Sequence, residues 1–93
     1  MDVLCMQICH PLAKTLHLPV YKELIKLLVE GRITAGITQH QLALRLSVPQ
    51  SFVAKYELGE RRIDVIEFIK ISDALGINPS SIIEKLRVKN EYK

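Results

Sequence analysis

Residues 36–62 read GITQHQLALRLSVPQSFVAKYELGERR, and their capping residues, proline and glycine predict the local structure at the centre of the chain. Thr38, with Gln41 three residues later, has the spacing of a capping box, which predicts that a helix starts there. The segment breaks at Ser47-Val48-Pro49, and Pro49 suits the first turn of the next helix, where a missing N–H is harmless. Gly59 ends that next helix. The sequence therefore predicts two short helices joined by a tight connection.

Each of these two helices has an apolar side and a polar side. Ala43 is small enough to let the helices cross closely, and four larger residues are predicted to hold the crossing: Leu42, Leu46, Val53 and Tyr56. The second helix starts with Gln50 and Ser51, and Lys55 follows one turn later. An ordinary solvated helix face would explain these three polar residues. In a helix-turn-helix, however, the same face meets the major groove of DNA.

Three further helices are predicted around this motif. The first runs from Val20 to about Ala35 and includes Gly31, which costs about 1 kcal/mol relative to Ala. A fourth begins at Asp64, which has Glu67 at capping-box spacing, and ends at Gly76. Its apolar face is predicted to contain Val65, Phe68, Ile69, Ser72 and Leu75. A fifth opens at Asn78-Pro79 and carries Ile82, Ile83 and Leu86. Since apolar residues recur every three or four positions, the predicted fold class is all-α.

The composition is that of one small globular domain. The chain has 93 residues, of which 48% are hydrophobic and 25% charged, with a net charge of +3. Residues 1–18 are predicted to be an N-terminal extension, 19–87 the main domain, and 88–93 a charged tail that frays. The apolar start lacks a basic region, and no apolar run reaches bilayer length, so a cytoplasmic protein without membrane contact is expected.

No residue pattern in the chain is typical of an enzyme. The sequence has no phosphate-binding glycine loop and no set of Ser, His and Asp residues that suggests a catalytic triad. Cys5, Cys9 and His10 lie close together but lack a second ligand pair at zinc-finger spacing. We therefore expect neither catalysis nor a metal ion or other cofactor.

With these helices and motifs, the sequence resembles the Cro and phage-repressor helix-turn-helix proteins, the XRE family. The similarity covers about residues 21–86 and includes the segment IKISDALGINPSSII at 69–83. The ordered spacing of its motifs carries the resemblance: Gly36-Ile37-Thr38-Gln39, Leu42-Ala43, Gln50-Ser51, Tyr56-Glu57, Gly59 and Ala74-Leu75-Gly76. It implies a lambda-repressor-like bundle of five helices that binds double-stranded DNA as a homodimer and regulates transcription, most simply as a repressor.

The resemblance also implies roles for individual residues. The DNA-binding positions that it assigns are Thr38, Gln39, Gln50, Ser51, Lys55, Arg61 and Arg62. Gln39 and the two arginines match phosphate contacts, whereas Gln50 and Ser51 match contacts to base edges and Lys55 is the next outward position. Arg32 and Glu57 match an ion pair between the first and third helices.

Two positions depart from the family pattern. Ser47 stands where the motif turn usually has glycine, and a positive φ there would store about 1 kcal/mol of strain. Leu58 stands where many relatives have a polar residue, so a phosphate contact is expected to be missing.

An excess of isoleucine in the last two helices predicts a dimer face. Its predicted members are Ile66, Ile71, Ile82 and Ile83. Two other functions fit the same fold: an antitoxin that also binds its own promoter, and a protein-interaction module that has lost DNA binding. The first would have an apolar surface that covers a partner toxin, whereas the basic residues after the third helix argue against the second.

Overall fold

The computed structural model describes residues 18–90, with side chains to residue 88. This part of the chain contains five helices and no strand, which confirms the all-α prediction. The helices are α1 (Pro19–Thr34), α2 (Gln39–Leu46), α3 (Gln50–Leu58), α4 (Val65–Leu75) and α5 (Pro79–Asn90). None of them is both long and apolar enough to cross a bilayer. Cys5, Cys9 and His10 lie outside the described residues.

Local signals in the sequence set most of these helix limits. Thr38 and Asp64 each form a complete capping box, in which the side chain accepts a hydrogen bond from the third helical N–H. The Asn78 side chain likewise accepts a hydrogen bond from the N–H of Ser80 at the start of α5. Gly59 ends α3 with φ of 81°, a conformation that favours glycine.

Several helix limits differ from the predicted ones: α1 runs from Pro19 to Thr34 rather than from Val20 to about Ala35. Pro49 is the N-cap of α3 in extended conformation, so the helix starts one residue later than predicted, at Gln50. At the C-terminal end, α5 continues to Asn90, into the charged segment 88–93 that was predicted to fray. The charged residues there are compatible with helix, because Glu, Lys and Arg have high helix propensity. Composition alone therefore did not mark where α5 ends.

The core lies between α1 and the helices α3, α4 and α5, and α2 covers it by packing against α3 and α4. Leu28 of α1, Leu42 of α2 and the α3 residues Val53 and Tyr56 have no solvent exposure. Ala43 is buried at the contact between α2 and α3, as the close crossing of the two helices requires. From the far end of the chain, α5 closes the core against α1 through Ile82.

The buried face of α4 differs from the predicted one. The buried residues are Phe68, Ile71, Ser72 and Leu75, whereas Val65 and Ile69 are exposed. The spacing of the buried four is i, i+3, i+4 and i+7, a single helical stripe. Ile69 is one residue from Phe68 and therefore points about 100° away from it.

This burial also corrects the predicted dimer face. Ile71 is 1% exposed and Ile82 is 3% exposed, so both side chains belong to the core and cannot contact a second molecule. Ile66 and Ile83, at 57% and 47%, remain exposed. The isoleucine count alone could not separate the two pairs, because all four belong to amphipathic helices.

Gly31 has a packing role that its helix propensity does not reveal. A Cβ placed on Gly31 would collide with Cδ1 of Ile77, in the connection between α4 and α5. The missing side chain leaves room for the end of the Ile77 side chain against α1. Glycine costs about 1 kcal/mol in helix propensity here, and a larger residue would require the Ile77 side chain to move.

Candidate nucleic-acid interface

The connection between α2 and α3 is a three-residue turn with a left-handed residue at its start. Ser47 has φ of 60° and ψ of 44°, and it is the one non-glycine residue with positive φ in the described chain. The N–H of Val48 donates to the carbonyl of Ala43 at 3.1 Å, which closes the end of α2. Pro49 then caps α3. This geometry fixes the crossing of the two helices.

The start of α3 presents polar side chains to solvent. Gln50, Ser51 and Lys55 are exposed, whereas Val53 and Tyr56 on the opposite side are buried. The arrangement follows from the sequence, because the apolar residues occupy the side that faces α2 and α1. Three side chains that can form hydrogen bonds to base edges are thus grouped on one open surface.

The start of α2 lies beside the start of α3. Gln39 is the first residue of α2 and is half-buried, and its Oε1 lies 3.5 Å from Nε2 of the exposed Gln50. The first-turn N–H groups of α2 are at the same end, next to the Thr38 cap. Such helix starts attract anionic oxygens, including those of phosphate.

Arg32 and Glu57 lie behind this surface and link α1 to α3. Arg32 Nε donates to Glu57 Oε2 at 2.7 Å and Nη2 donates to Oε1 at 3.1 Å, a two-point ion pair. The side chains are only 14% and 6% exposed. Arg32 also donates through Nη1 to the carbonyl of Ile37 at 3.0 Å. The hydrogen bonds to Glu57 raise the pKa of Arg32 above its ordinary value, so the guanidinium stays charged.

A third partner of this ion pair was not foreseen from the sequence. Gln39 Nε2 donates to Glu57 Oε1 at 2.9 Å, so one carboxylate holds both Arg32 and Gln39. Sequence reasoning assigned Gln39 only a phosphate contact at the start of α2. The signal that could have suggested the contact is the predicted crossing of α2 and α3, which brings the start of α2 toward α3.

The two arginines that follow α3 have different surroundings. Arg61 forms a two-point ion pair with Glu67, at 3.0 Å for both bonds, and its guanidinium lies 4.4 Å from the centre of the Phe52 ring. Arg61 Nη1 also donates to the carbonyl of Arg62 at 2.9 Å. The Arg61 guanidinium lowers the pKa of the Glu67 carboxyl below its ordinary value. Arg61 therefore stiffens the turn between α3 and α4.

Arg62, by contrast, is exposed and forms no ion pair within residues 18–88. These adjacent arginines cannot be distinguished from the sequence alone. The distinction depends on Glu67, which also accepts a hydrogen bond from the N–H of Asp64 and so is fixed in place by the capping box of α4.

Comparison with known proteins agrees with this geometry. Residues 28–82 match the family model HTH_3, described as helix-turn-helix. The fold is similar to a solved structure described as an XRE-family like protein from Pseudomonas syringae pv. tomato str. DC3000. The identity to that protein is 46% and the TM-score is 0.77, over 86% of this chain and 98% of that chain. No curated protein matches the sequence.

Proposed function

The chain belongs to the HTH_3 helix-turn-helix family, whose members are DNA-binding transcriptional regulators, and we propose that it represses transcription as a dimer at a two-fold-symmetric operator. One observation carries the proposal: α3 starts with the exposed polar residues Gln50, Ser51 and Lys55, and Gln50 lies beside Gln39 at the start of α2. An α-helix that presents such a face fits the width of the DNA major groove. Such a regulator acts on DNA in the cytoplasm.

Within the proposed complex, Gln50 and Lys55 read sequence. The Gln50 amide can pair with adenine through one donor and one acceptor, and the Lys55 ammonium can donate to guanine O6 or N7. Ser51 has room for a single hydrogen bond to a neighbouring base edge. These contacts provide the sequence-dependent part of the binding free energy.

Other groups hold the DNA backbone. The start of α2, with Thr38 and Gln39, offers N–H donors to a phosphate on one side of α3. The exposed Arg62 offers a cation on the side that follows α3. Arg61 contributes less directly to phosphate binding, because Glu67 and Phe52 already hold its guanidinium. Its proposed role is to shape the turn that presents Arg62.

The dimer is the second part of the proposal. One recognition helix reads too few base pairs to select a site, whereas two helices about 34 Å apart read two half-sites on one face of the duplex. Ile66 on α4 and Ile83 on α5 are exposed apolar residues suited to an interface between two copies. A bound dimer at a promoter would block access of the transcription machinery.

A binding selection from random duplexes tests the DNA-reading surface. We expect the wild-type protein to enrich a palindromic motif, and Gln50→Ala to relax preference at one or two base pairs of each half-site. Ser81→Ala, an exposed serine change on α5, is the control and should enrich the wild-type motif. If Gln50→Ala selects an unchanged motif, α3 is not the reading helix.

Sedimentation tests the dimer. Wild-type protein at micromolar concentration should have a mass above that of one chain, and the double change Ile66→Lys with Ile83→Lys should reduce it to a monomer. Ile33→Lys, at another exposed isoleucine on α1, is the matched control and should leave the mass unchanged. A protein that is monomeric both free and on DNA contradicts the dimer.

A further inference from the structure

Glu57 has more hydrogen bonds than its ion pair with Arg32 requires. Its Oε2 accepts from Arg32 Nε, and its Oε1 accepts from both Arg32 Nη2 and Gln39 Nε2. The two-point pair with Arg32 already compensates the charge of the buried carboxylate. The hydrogen bond from Gln39 therefore has a separate role: it fixes the Gln39 side chain at the edge of the DNA-binding surface.

That bond determines which way the Gln39 amide faces. A carboxylate can only accept hydrogen bonds, so the NH₂ group of Gln39 must point toward Glu57. The Gln39 oxygen then points the other way, toward Gln50, whose Nε2 lies 3.5 Å from it. Gln50 turns its NH₂ group toward this oxygen, which is the direction that an accepting oxygen favours.

The consequence reaches the end of the Gln50 side chain. With one N–H directed at Gln39, the Gln50 amide keeps its oxygen and its second N–H for another partner, each in a defined place. Adenine needs an acceptor opposite N6 and a donor opposite N7. An amide that could flip freely would lose this order before binding, and ordering it would reduce affinity.

We propose that Glu57 is a positioning residue for base recognition: anchored by Arg32, it sets the orientation of Gln39 and, through Gln39, that of Gln50. The inference rests on the proposed function, since it assigns Gln50 the reading of a base pair. It differs from a structural role, because an ion pair that only holds α1 to α3 would affect all DNA sequences alike.

The test compares affinity for the selected operator with affinity for an operator changed only at the base pair read by Gln50. The main variant replaces both Arg32 and Glu57 by Leu, which removes the acceptor for Gln39 without leaving a buried charge. Its discrimination at that base pair should fall about three- to tenfold, a part of what a bidentate contact provides. Discrimination at the other base pairs should stay as in the wild type.

A cycle with Gln50→Ala shows whether Glu57 acts through Gln50. In the Gln50→Ala background, the Arg32 and Glu57 changes should cause no further loss at that base pair. Glu60→Gln removes a carboxylate from an exposed position near the end of α3 and serves as the control, with discrimination unchanged. If the double Leu variant does not fold by circular dichroism, Gln39→Met keeps the ion pair, removes the link, and should give the same selective loss.

The outcomes separate the two proposals. A folded variant whose discrimination stays within about twofold of wild type, or falls equally at base pairs that Gln50 does not read, overturns the role of Glu57 alone. A wild-type protein without sequence-selective binding, or a Gln50→Ala variant with an unchanged motif, overturns the proposed function and with it this inference.

Discussion

Replacing Ser47 by glycine is expected to make the protein more stable. Ser47 has φ of 60° at the end of α2, where a residue with a Cβ costs about 1–2 kcal/mol relative to the right-handed conformation. Glycine removes that cost but loses about 0.5–1 kcal/mol through the greater freedom of the unfolded chain. The Ser47 side chain is exposed and forms no hydrogen bond within residues 18–88, so little else is lost.

The net gain should be about 0.5–1 kcal/mol. For a domain of this size, that difference raises the melting temperature by about 2–8 °C. Thermal unfolding followed by circular dichroism, together with urea unfolding at 25 °C, measures both quantities. The expected result is a higher urea midpoint with an unchanged slope, because the unfolded surface is the same.

Two control variants isolate the backbone effect. Ser47→Ala keeps a Cβ at the left-handed position, so its stability should not exceed that of the wild type. Ser81→Gly, at an exposed position within α5, should lose about 0.5 kcal/mol through lower helix propensity. A Ser47→Gly variant no more stable than Ser47→Ala would refute the claim that the turn is strained.

Three further predictions concern the charged residues. Glu57→Ala should lower the free energy of unfolding by about 3 kcal/mol, because the mostly buried Arg32 loses its partner, and an unchanged urea midpoint would contradict this. Arg62→Ala should reduce the slope of log affinity against log salt by about one unit per monomer. Arg61→Ala should leave that slope near the wild-type value and lower the melting temperature. The opposite result would exchange the roles of the two arginines. Arg61 lowers the pKa of Glu67 in the folded state, so this carboxyl should stabilise the fold fully above its ordinary pKa of 4.5. That contribution is lost as the pH falls through the folded pKa. Thermal unfolding should therefore show that Glu67→Gln loses less stability than the wild type between pH 7 and 3.

The sequence was sufficient wherever the determining interaction is local. Thr38 with Gln41 and Asp64 with Glu67 each place donor and acceptor three residues apart, so both helix starts were readable without knowledge of the fold. The exposed face of α3 was readable for a similar reason, because Val53 and Tyr56 leave only one side for its polar residues.

Sequence reasoning failed where two distant segments decide the outcome. Whether Ile71 faces the core depends on where α4 sits relative to α1 and α2, and helical periodicity does not contain that information. Arg61 looked equivalent to Arg62 until the fold placed Phe52 and Glu67 around it. Likewise, nothing near Gln39 in the sequence indicates Glu57, eighteen positions later, as its partner.

The contact of Gly31 with Ile77 has a consequence for synthesis on the ribosome. The first helix leaves the exit tunnel early, but the surface around Gly31 and Leu28 stays uncovered until Ile77 and Ile82 have also emerged. At about 5–20 residues per second, this interval lasts for seconds, during which the nascent chain exposes its future core. A chain released before Ile82 would therefore be a substrate for chaperones and proteases rather than a shorter working domain.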